Sequence, residues 1–438
     1  MFINKIKVFS QMKTITIVGL GYVGLPLACL CAEKGCKVYG LDIDKSKVEL
    51  INKNQSPIDD EYIIKKLKNL KNKIYAKTNA SECIPYSEVV IVCVPTPIDK
   101  NNSPDLTALM ESISTVSKFI KKGAIFVVES TIYPGTVEEV VIPILKKQKL
   151  DAYKNDVFVA HCPERIDPGN KKWTIENLPR VVGGITKESA KKAAEFYRDT
   201  ITAEVIELSS AKAAEATKIM ENTFRDINIA FVNEMAMSFD RAGIDIIEVL
   251  KGASTKPFAF MPHYPGAGVG GHCISIDPYY LIEKAKQLGF HHKFLLLARE
   301  INESMPHYTV ELLENELKKL EKTIKNSKVG VLGLAYKANV DDTRESPAYE
   351  IISILKSKGA CVFTFDPHVK KDSNVKDLNE LLNKSDYIIL ATDHSEFKDM
   401  DLDKLKKYRI LVVIDGRNCL DKEKIKSMGI LYHGVGRS

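Results

Sequence analysis

The residues with chemistry to offer are a thiol, an ammonium, an amide and several carboxylates, each set in a short run that limits its use. Cys273 lies in Gly268-Val269-Gly270-Gly271-His272-Cys273-Ile274-Ser275-Ile276-Asp277-Pro278. Glycines around a thiol let backbone and ligand come close, and Asp277 four residues later can orient a base or a water. His272 invites a Cys-His protease reading, but adjacent side chains in an extended segment point to opposite faces, which disfavours that pairing. Lys218 and Asn222 are spaced i, i+4 and share a helix face, with Arg225 one turn further. Such a face is usually solvated surface. Here Ala211, Ala213, Ala214 and Ala216 crowd the preceding turn, so close packing and a partly buried Lys218 are expected. A desolvated ammonium can polarise a carbonyl or steady an alkoxide, and the amide adds a neutral donor.

A second kind of chemistry is anion binding. Gly19-Leu20-Gly21-Tyr22-Val23-Gly24 follows a β-branched run and opens a helical one, and Asp42 closes the next run. The first glycine permits a tight turn, the second lets backbone approach a pyrophosphate, and the third packs helix on strand. Asp42 would accept from the adenosine ribose hydroxyls and repel a 2′-phosphate, which favours NAD over NADP. A tight structural turn in another α/β fold is the alternative. Val94-Pro95-Thr96-Pro97 and Glu129-Ser130-Thr131 sit where strands stop, at the carboxyl edge on which ligands of such sheets bind. Glu164, in Cys162-Pro163-Glu164-Arg165, follows another strand end and can act as acid or base. Lys337, in Gly333-Leu334-Ala335-Tyr336-Lys337, and Arg417, in Asp415-Gly416-Arg417, close strands of a later series and are placed to neutralise a phosphate. Asp341-Asp342-Thr343-Arg344-Glu345-Ser346 joins them, and surface salt bridges are the alternative for each.

These residues need elements to hold them. Strands are expected at Ile15 to Val18, Val38 to Leu41, Val89 to Val94, Ile125 to Val128, Val157 to Ala160 and Val181 to Val182, alternating with helical patterns. That rhythm implies crossover units and a parallel sheet. From Ser209 to about Ala242 there is no proline or glycine, so one long helix is expected, capped by a Ser-Ser pair and stopped at Gly243. A helix of that length offers a surface for joining domains and a second copy. The alternation resumes at Val329 to Leu332, Val362 to Phe365, Tyr387 to Ala391 and Leu411 to Ile414. The two series echo each other, each opening into glycine (Gly19, Gly333) and closing its second strand on aspartate (Asp42, Asp366). The fold class is α/β, with two Rossmann-like domains of parallel sheet joined by a central helical domain carrying one long helix. The boundaries are drawn at 1–207, 208–322 and 323–438.

Composition agrees with this class. The chain has 438 residues, 45% hydrophobic and 27% charged, and 63 Lys+Arg against 57 Asp+Glu give a formal charge of +6. That surplus is far from the basic stripe nucleic acid demands, and it suits an anionic small molecule. Nine cysteines without framework spacing point to reduced thiols and a cytoplasmic protein. Thr14 to Ala32 is uncharged and long enough to span a bilayer, but its glycines and Pro26 break it into strand, turn and helix. Met1 to Lys13 lacks the apolar stretch and cleavage site of a signal peptide, and Met12 is an alternative start.

Taken together and in this order, the motifs GxGxxG, VPTP, EST, PE, KxxxN, GGHCxxxDP and GLAYK with DTRES resemble the UDP-glucose/GDP-mannose dehydrogenase family, over nearly the whole chain. The resemblance implies that the first domain binds NAD, the long helix makes a homodimer or higher homo-oligomer, the last domain binds UDP, and the active site forms where they meet. It implies Cys273 as nucleophile, Lys218 and Asn222 as oxyanion stabilisers, Asp277 and Thr131 as the pair that positions water, and Glu164 as acid/base of deacylation. NAD contacts would come from Gly19, Gly21, Tyr22, Val23, Gly24, Asp42, Lys47, Pro95, Thr96, Ser130, Thr131 and Arg344. Substrate contacts would come from Glu164, Arg165, Lys218, Asn222, Tyr264, Gly266, Gly270, Lys337 and Arg417. The implied reaction is a four-electron oxidation of C6 of a UDP-sugar to the uronic acid through a thiohemiacetal and a thioester on Cys273, consuming two NAD, with no metal, membrane or nucleic acid involved.

Arg165-Ile166-Asp167-Pro168-Gly169-Asn170 and Lys256-Pro257-Phe258-Ala259-Phe260-Met261-Pro262-His263-Tyr264-Pro265-Gly266 resemble the branch acting on UDP-N-acetylhexosamines, as in capsule or other polysaccharide synthesis. Within it the second pattern favours UDP-N-acetylglucosamine, followed by UDP-N-acetylmannosamine, then UDP-glucose. The rival enzyme class is a two-electron β-hydroxyacid dehydrogenase, which needs neither Cys273 nor residues 329–438. A nonenzymatic NAD-binding module would leave Lys218, Asn222, Cys273 and Asp277 without a joint purpose.

Overall fold

The structure is a computed structural model and describes residues 13–58, 60–99, 102–166, 170, 172–271 and 273–438. Met12, Asp167, Pro168, Gly169 and His272, which enter the sequence reading, lie outside the described residues. The chain forms two compact units: residues up to Glu221 with Tyr279–Leu288, and Asn222–Pro278 with Gly289–Ser438.

The first unit is built on an eight-stranded sheet. Its strands are β1 (Thr14–Val18), β2 (Lys37–Leu41), β3 (Ile74–Lys77), β4 (Val89–Val92), β5 (Ile125–Val128), β6 (Phe158–His161), β7 (Arg180–Gly184) and β8 (Val205–Leu208), in the order β3-β2-β1-β4-β5-β6-β7-β8. Pairing is parallel, with Ile15 opposite both Val38 and Val89, except that β7 runs antiparallel to β6. The expectation of an all-parallel sheet is corrected at that pair. Uninterrupted apolar strands such as Val89–Val92 follow from burial on both faces, as crossover helices require. The order reverses between β1 and β4, so the crevice of the sheet opens where Gly19 and Cys93 follow those strands. The uncharged run from Thr14 is β1, a turn and the helix Gly24–Glu33, and among the described residues no helix is long and apolar enough to cross a membrane.

The second unit contains β9 (Lys328–Leu332), β10 (Cys361–Phe365), β11 (Tyr387–Leu390), β12 (Val412–Asp415) and β13 (Leu431–Gly434), all parallel in the order β10-β9-β11-β12-β13. The internal echo is structural. Gly19 and Gly333 take φ of +90° and +91°, and a Cβ on either would strike the chain just past the neighbouring strand of its sheet, at Cys93 O after β4 and at Thr392 after β11. The long helix spans Ala211–Arg241, 31 residues, and runs from the first unit into the second. Ser210 Oγ accepts from Ala213 N–H at 3.2 Å at its start, and Gly243 at φ +71° follows its end. β3, β8 and β13 were not expected from sequence; all three are four-residue strands at sheet edges, β3 and β8 partly exposed and β13, Leu-Tyr-His-Gly, largely buried but without a β-branched residue, so none carries enough pattern to read.

Candidate active site

In the first unit each glycine of the turn does a different task. Gly19 adopts the left-handed conformation, and a Cβ there would lie 2.8 Å from Cys93 O. A Cβ on Gly24 would fall 1.9 Å from Gly19 O, so the third glycine lets helix close on turn. Gly21 has nothing within 4 Å of where its Cβ would stand, which leaves the space a pyrophosphate needs. Asp42, buried, accepts from Leu20 N–H at 2.8 Å and Asp44 N–H at 2.9 Å, and each oxygen keeps a lone pair for a ribose hydroxyl. These residues fit NAD. Tyr22 is exposed, Val23 is half-buried, and Lys47 stands in the first turn of the helix Lys45–Asn52. The two strand ends meet: Thr96 Oγ1 donates to Thr131 O at 2.6 Å, and Ser130 Oγ donates to Val94 O at 2.7 Å, while Pro95 stays exposed. Tyr280, fully buried, donates its hydroxyl to Thr96 O. Sequence reasoning missed it, although it stands only two residues past Pro278.

Glu164 ends the β6 segment with its Oε1 accepting from the amides of Arg165, at 2.6 Å, and Ile166. Its other oxygen lies 3.9 Å from Arg180, a buried guanidinium on β7 that also bonds Glu129 at 2.9 Å and lies over the Tyr197 ring. Arg165 is committed to a two-pronged ion pair with Glu221 (2.7 and 3.2 Å) and to Pro179 O at 2.9 Å. Glu221 sits between Lys218 and Asn222 in sequence, so the pair pins the helix turn that carries them. Lys218 is buried, as the alanines predicted. Ala211 and Ala214 are buried whereas Ala216 is exposed, and the helix lies so close to β7 at Ala214 that a Cβ on Gly183 would strike Ser210 O at 2.0 Å and Ala214 Cβ at 3.0 Å. His161 is fully buried and held neutral: desolvation, with the Lys218 ammonium adding to it, pushes its pKa down to about 3. Glu215, one turn before Lys218, accepts from Gly135 and Val137 amides and so ties the segment after Thr131 to the helix. Burial raises its pKa to about 7.

The second unit brings the thiol loop together with two distant motifs. Asn222 Nδ2 donates to Asp277 Oδ2, joining two of the expected catalytic residues, and Asp277 N–H donates to Cys273 O at 2.8 Å. Cys273 is exposed. The glycines before it lie flat on the other motif. A Cβ on Gly270 would meet Glu345 O at 2.5 Å and Tyr336 Cβ at 2.8 Å, and one on Gly271 would meet the Tyr336 ring at 2.6 Å. Gly271 N–H donates to Arg344 O at 3.0 Å, and the Arg344 guanidinium, paired with Asp342 at 2.6 Å, is within electrostatic reach of Cys273. Arg417 donates to Ala391 O at 2.9 Å and Tyr336 O at 3.2 Å, and a Cβ on Gly266 would lie 3.0 Å from its Nη1. Lys337 is half-buried one residue beyond Tyr336, and Tyr264 is exposed. Asp366, counterpart of Asp42, is fully buried and accepts from Leu334 and Ala335 amides (2.6 and 2.9 Å) and from His394 at 2.9 Å. Its carboxylate is consumed by its own loop, so the second sheet does not offer the ribose acceptor that the first does. His394 also lies beside His368 and Glu396, but with Nε2 on Asp366 and Nδ1 accepting from Asn339 N–H at 2.9 Å it has no nitrogen left for a metal.

Comparison with known proteins agrees with this arrangement. Three models of the UDP-glucose/GDP-mannose dehydrogenase family match in sequence order: the NAD binding domain at residues 13–201, the central domain at 212–304 and the UDP binding domain at 330–422. A UDP-N-acetyl-D-mannosamine dehydrogenase of Methanococcus maripaludis is 38% identical over 97% of both chains. A UDP-N-acetyl-D-glucosamine 6-dehydrogenase of Pseudomonas aeruginosa is also 38% identical, over 94% of this chain and 98% of its own. The solved structure of a UDP-D-ManNAc dehydrogenase from Pyrococcus horikoshii superposes with a TM-score of 0.91 at 36% identity, covering 97% of this chain and 99% of that one. The chain is therefore an NAD-using member of the UDP-glucose/GDP-mannose dehydrogenase family.

Proposed function

We propose that the protein is a 6-dehydrogenase of UDP-N-acetylhexosamines that carries the C6 alcohol of the sugar to the carboxylate without releasing the aldehyde. The observation that carries this reading is the joined set in the second unit: a thiol loop packed on Tyr336 of the UDP-binding segment, with Asn222 and Asp277 bonded to each other beside it. A two-electron hydroxyacid dehydrogenase has use for neither the thiol nor that segment. NAD, which the Gly19–Gly24 turn and Asp42 would hold, would accept one hydride from C6 at each of the two oxidations, so that two NAD are consumed per sugar, and the hydroxyl proton of the first leaves through water in the neighbourhood of Lys218 and Asp277. The Cys273 thiolate forms its bond to the C6 carbonyl carbon while Lys218 and Asn222 donate to the oxygen as it gains charge. At the thioester stage Asp277 and Thr131 hold water against the carbonyl carbon. Glu164 takes a proton from that water and passes it to sulfur as the C–S bond breaks. Lys337 and Arg417 neutralise the diphosphate, Arg344 contacts NAD, and the long helix supplies the surface of a homodimer.

The sugar is assigned to the acetylated branch on the Arg165 and Lys256–Gly266 patterns, supported by relatives named for both C2 epimers at equal identity. The test is a panel of UDP-N-acetylglucosamine, UDP-N-acetylmannosamine and UDP-glucose assayed for NADH. Two NADH per acetylated sugar are expected, and a ratio of one refutes the four-electron reaction. Cys273→Ser is expected to lose acid formation while still binding NAD; an unimpaired rate in that variant refutes the thioester route.

A further inference from the structure

The stretch ending at Gly266 is held from two sides within the second unit. On one side Ala267 N–H donates to Gly416 O at 3.0 Å, next to Arg417. On the other, Gly266 N–H donates to Oδ1 of Asn233, a fully buried amide on the long helix. Asn233 Nδ2 donates to Asn302 Oδ1 at 2.9 Å, and Asn302 Nδ2 donates to Asp226 at both its side-chain Oδ1 (2.8 Å) and its backbone oxygen (3.0 Å). Asp226 Oδ1 is also held by Arg299 at 2.7 Å, and all four side chains are buried.

The polarity of this series is dictated from its far end. An ionised carboxylate only accepts, so Asn302 must turn its amino group toward Asp226 and its oxygen toward Asn233. Asn233 must then turn its own amino group toward Asn302, which leaves its oxygen facing Gly266, and a backbone amide is the partner that an oxygen requires. Neither amide can flip without setting two oxygens, or two amino groups, against each other. Gly266 is thereby fixed beneath Arg417, whose Nη1 a Cβ at that position would touch at 3.0 Å.

We propose that Asn233 is a positioning residue for the nucleotide-sugar, oriented through Asn302 by Asp226 and Arg299, and that it sets the Gly266 backbone against Arg417. The assignment rests on the reading of Gly266 and Arg417 as substrate contacts. Asn233→Leu removes the acceptor and leaves a buried N–H without a partner, and Asn302→Leu breaks the series one link further on without touching the loop. Titration calorimetry with UDP alone, and steady-state kinetics with the UDP-sugar, are measured on the full chain. The expected result is at least tenfold weaker UDP binding and a KM for the sugar raised to match in Asn233→Leu, and a smaller loss in Asn302→Leu. NAD affinity and kcat at saturating sugar stay within about twofold of wild type, a split that general loosening would not produce. If Asn233→Leu does not fold, Asn302→Leu carries the test. UDP affinity within twofold of wild type in the folded variants overturns the assignment. A wild-type protein that binds UDP but oxidises no UDP-sugar would refute the proposed reaction and leave Asn233 testable by UDP binding; one that binds no UDP refutes both.

Discussion

Raising the pH through about 9 should unfasten the second unit at one histidine. His433, on β13, is 8% exposed and has a carboxylate on each ring nitrogen: Glu316 at 2.9 Å from Nδ1 and Asp240 at 2.8 Å from Nε2. Two acceptors facing both nitrogens require both to carry protons, so the ring is an imidazolium joining the long helix, the helix Lys293–Lys319 and the sheet. Burial opposes the charge, but hydrogen bonds and attraction from the two carboxylates prevail and raise the pKa from 6.5 to about 9. The same contacts hold Asp240 and Glu316 below their ordinary values, so one set of ion pairs is being seen from three ends. A group whose folded pKa exceeds its unfolded one contributes stability that is full below the unfolded value, here about 6.5, and is lost as pH rises through the folded value. A rise of that size corresponds to roughly 3 kcal/mol at about 1.4 kcal/mol per unit, and side-chain exposure of 10% leaves little screening to subtract. The measurement is denaturant unfolding of wild type and His433→Gln at about pH 6 and about pH 10. Groups that titrate elsewhere cancel in the difference between the two proteins. The wild-type advantage should shrink by roughly 2–3 kcal/mol across that interval. An advantage that is flat with pH, or that grows, refutes the imidazolium clamp.

Other predictions rest on single contacts. Arg180→Met leaves Glu129, fully buried, without its cation and should cost about 3–5 kcal/mol in unfolding free energy, much of it regained in Arg180→Met with Glu129→Leu; a loss under about 1 kcal/mol would mean the pair is solvated. Gly21→Ala and Gly24→Ala should separate binding from folding. The first has open space and should keep its unfolding midpoint while losing NAD affinity; the second drives a methyl group into Gly19 O and should lose about 1–3 kcal/mol of stability as well. Asp42→Ala removes the ribose acceptor and the anchor of Leu20, so NADH titration should show affinity at least tenfold weaker, a change of about 1.4 kcal/mol or more, with discrimination against NADP reduced. Unchanged NADH binding would place the ribose elsewhere.

What the sequence disclosed and what it withheld divide along one physical line. The turn at Gly19 was legible because two of its glycines answer to local geometry: the positive φ of Gly19 and the collision of a Gly24 side chain with Gly19 O are events with a fixed spacing. The burial of Lys218 was legible for the same reason, since Ala214 and Ala211, one and two turns before it, announce a close-packed face. Edge strands β3, β8 and β13 were not, because four residues, partly exposed in β3 and β8 and without a β-branched side chain in β13, carry almost no pattern. The polar series at Asn233 was hidden for another reason. Its partners stand 33 and 69 residues away, and an asparagine on a helix looks like solvated surface until the fold removes its water. Once water is gone, each amide must find a partner of the correct polarity, and the nearest fixed polarity is the charge on Asp226. The same desolvation separates the two aspartates that looked alike in sequence. Asp42 keeps lone pairs for a ligand, whereas Asp366, with no exposure, has given its carboxylate to the loop and to His394. Two sheets built from one pattern thus part company in function at a carboxylate, and the parting is decided by who reaches it first, a ligand or the protein's own backbone.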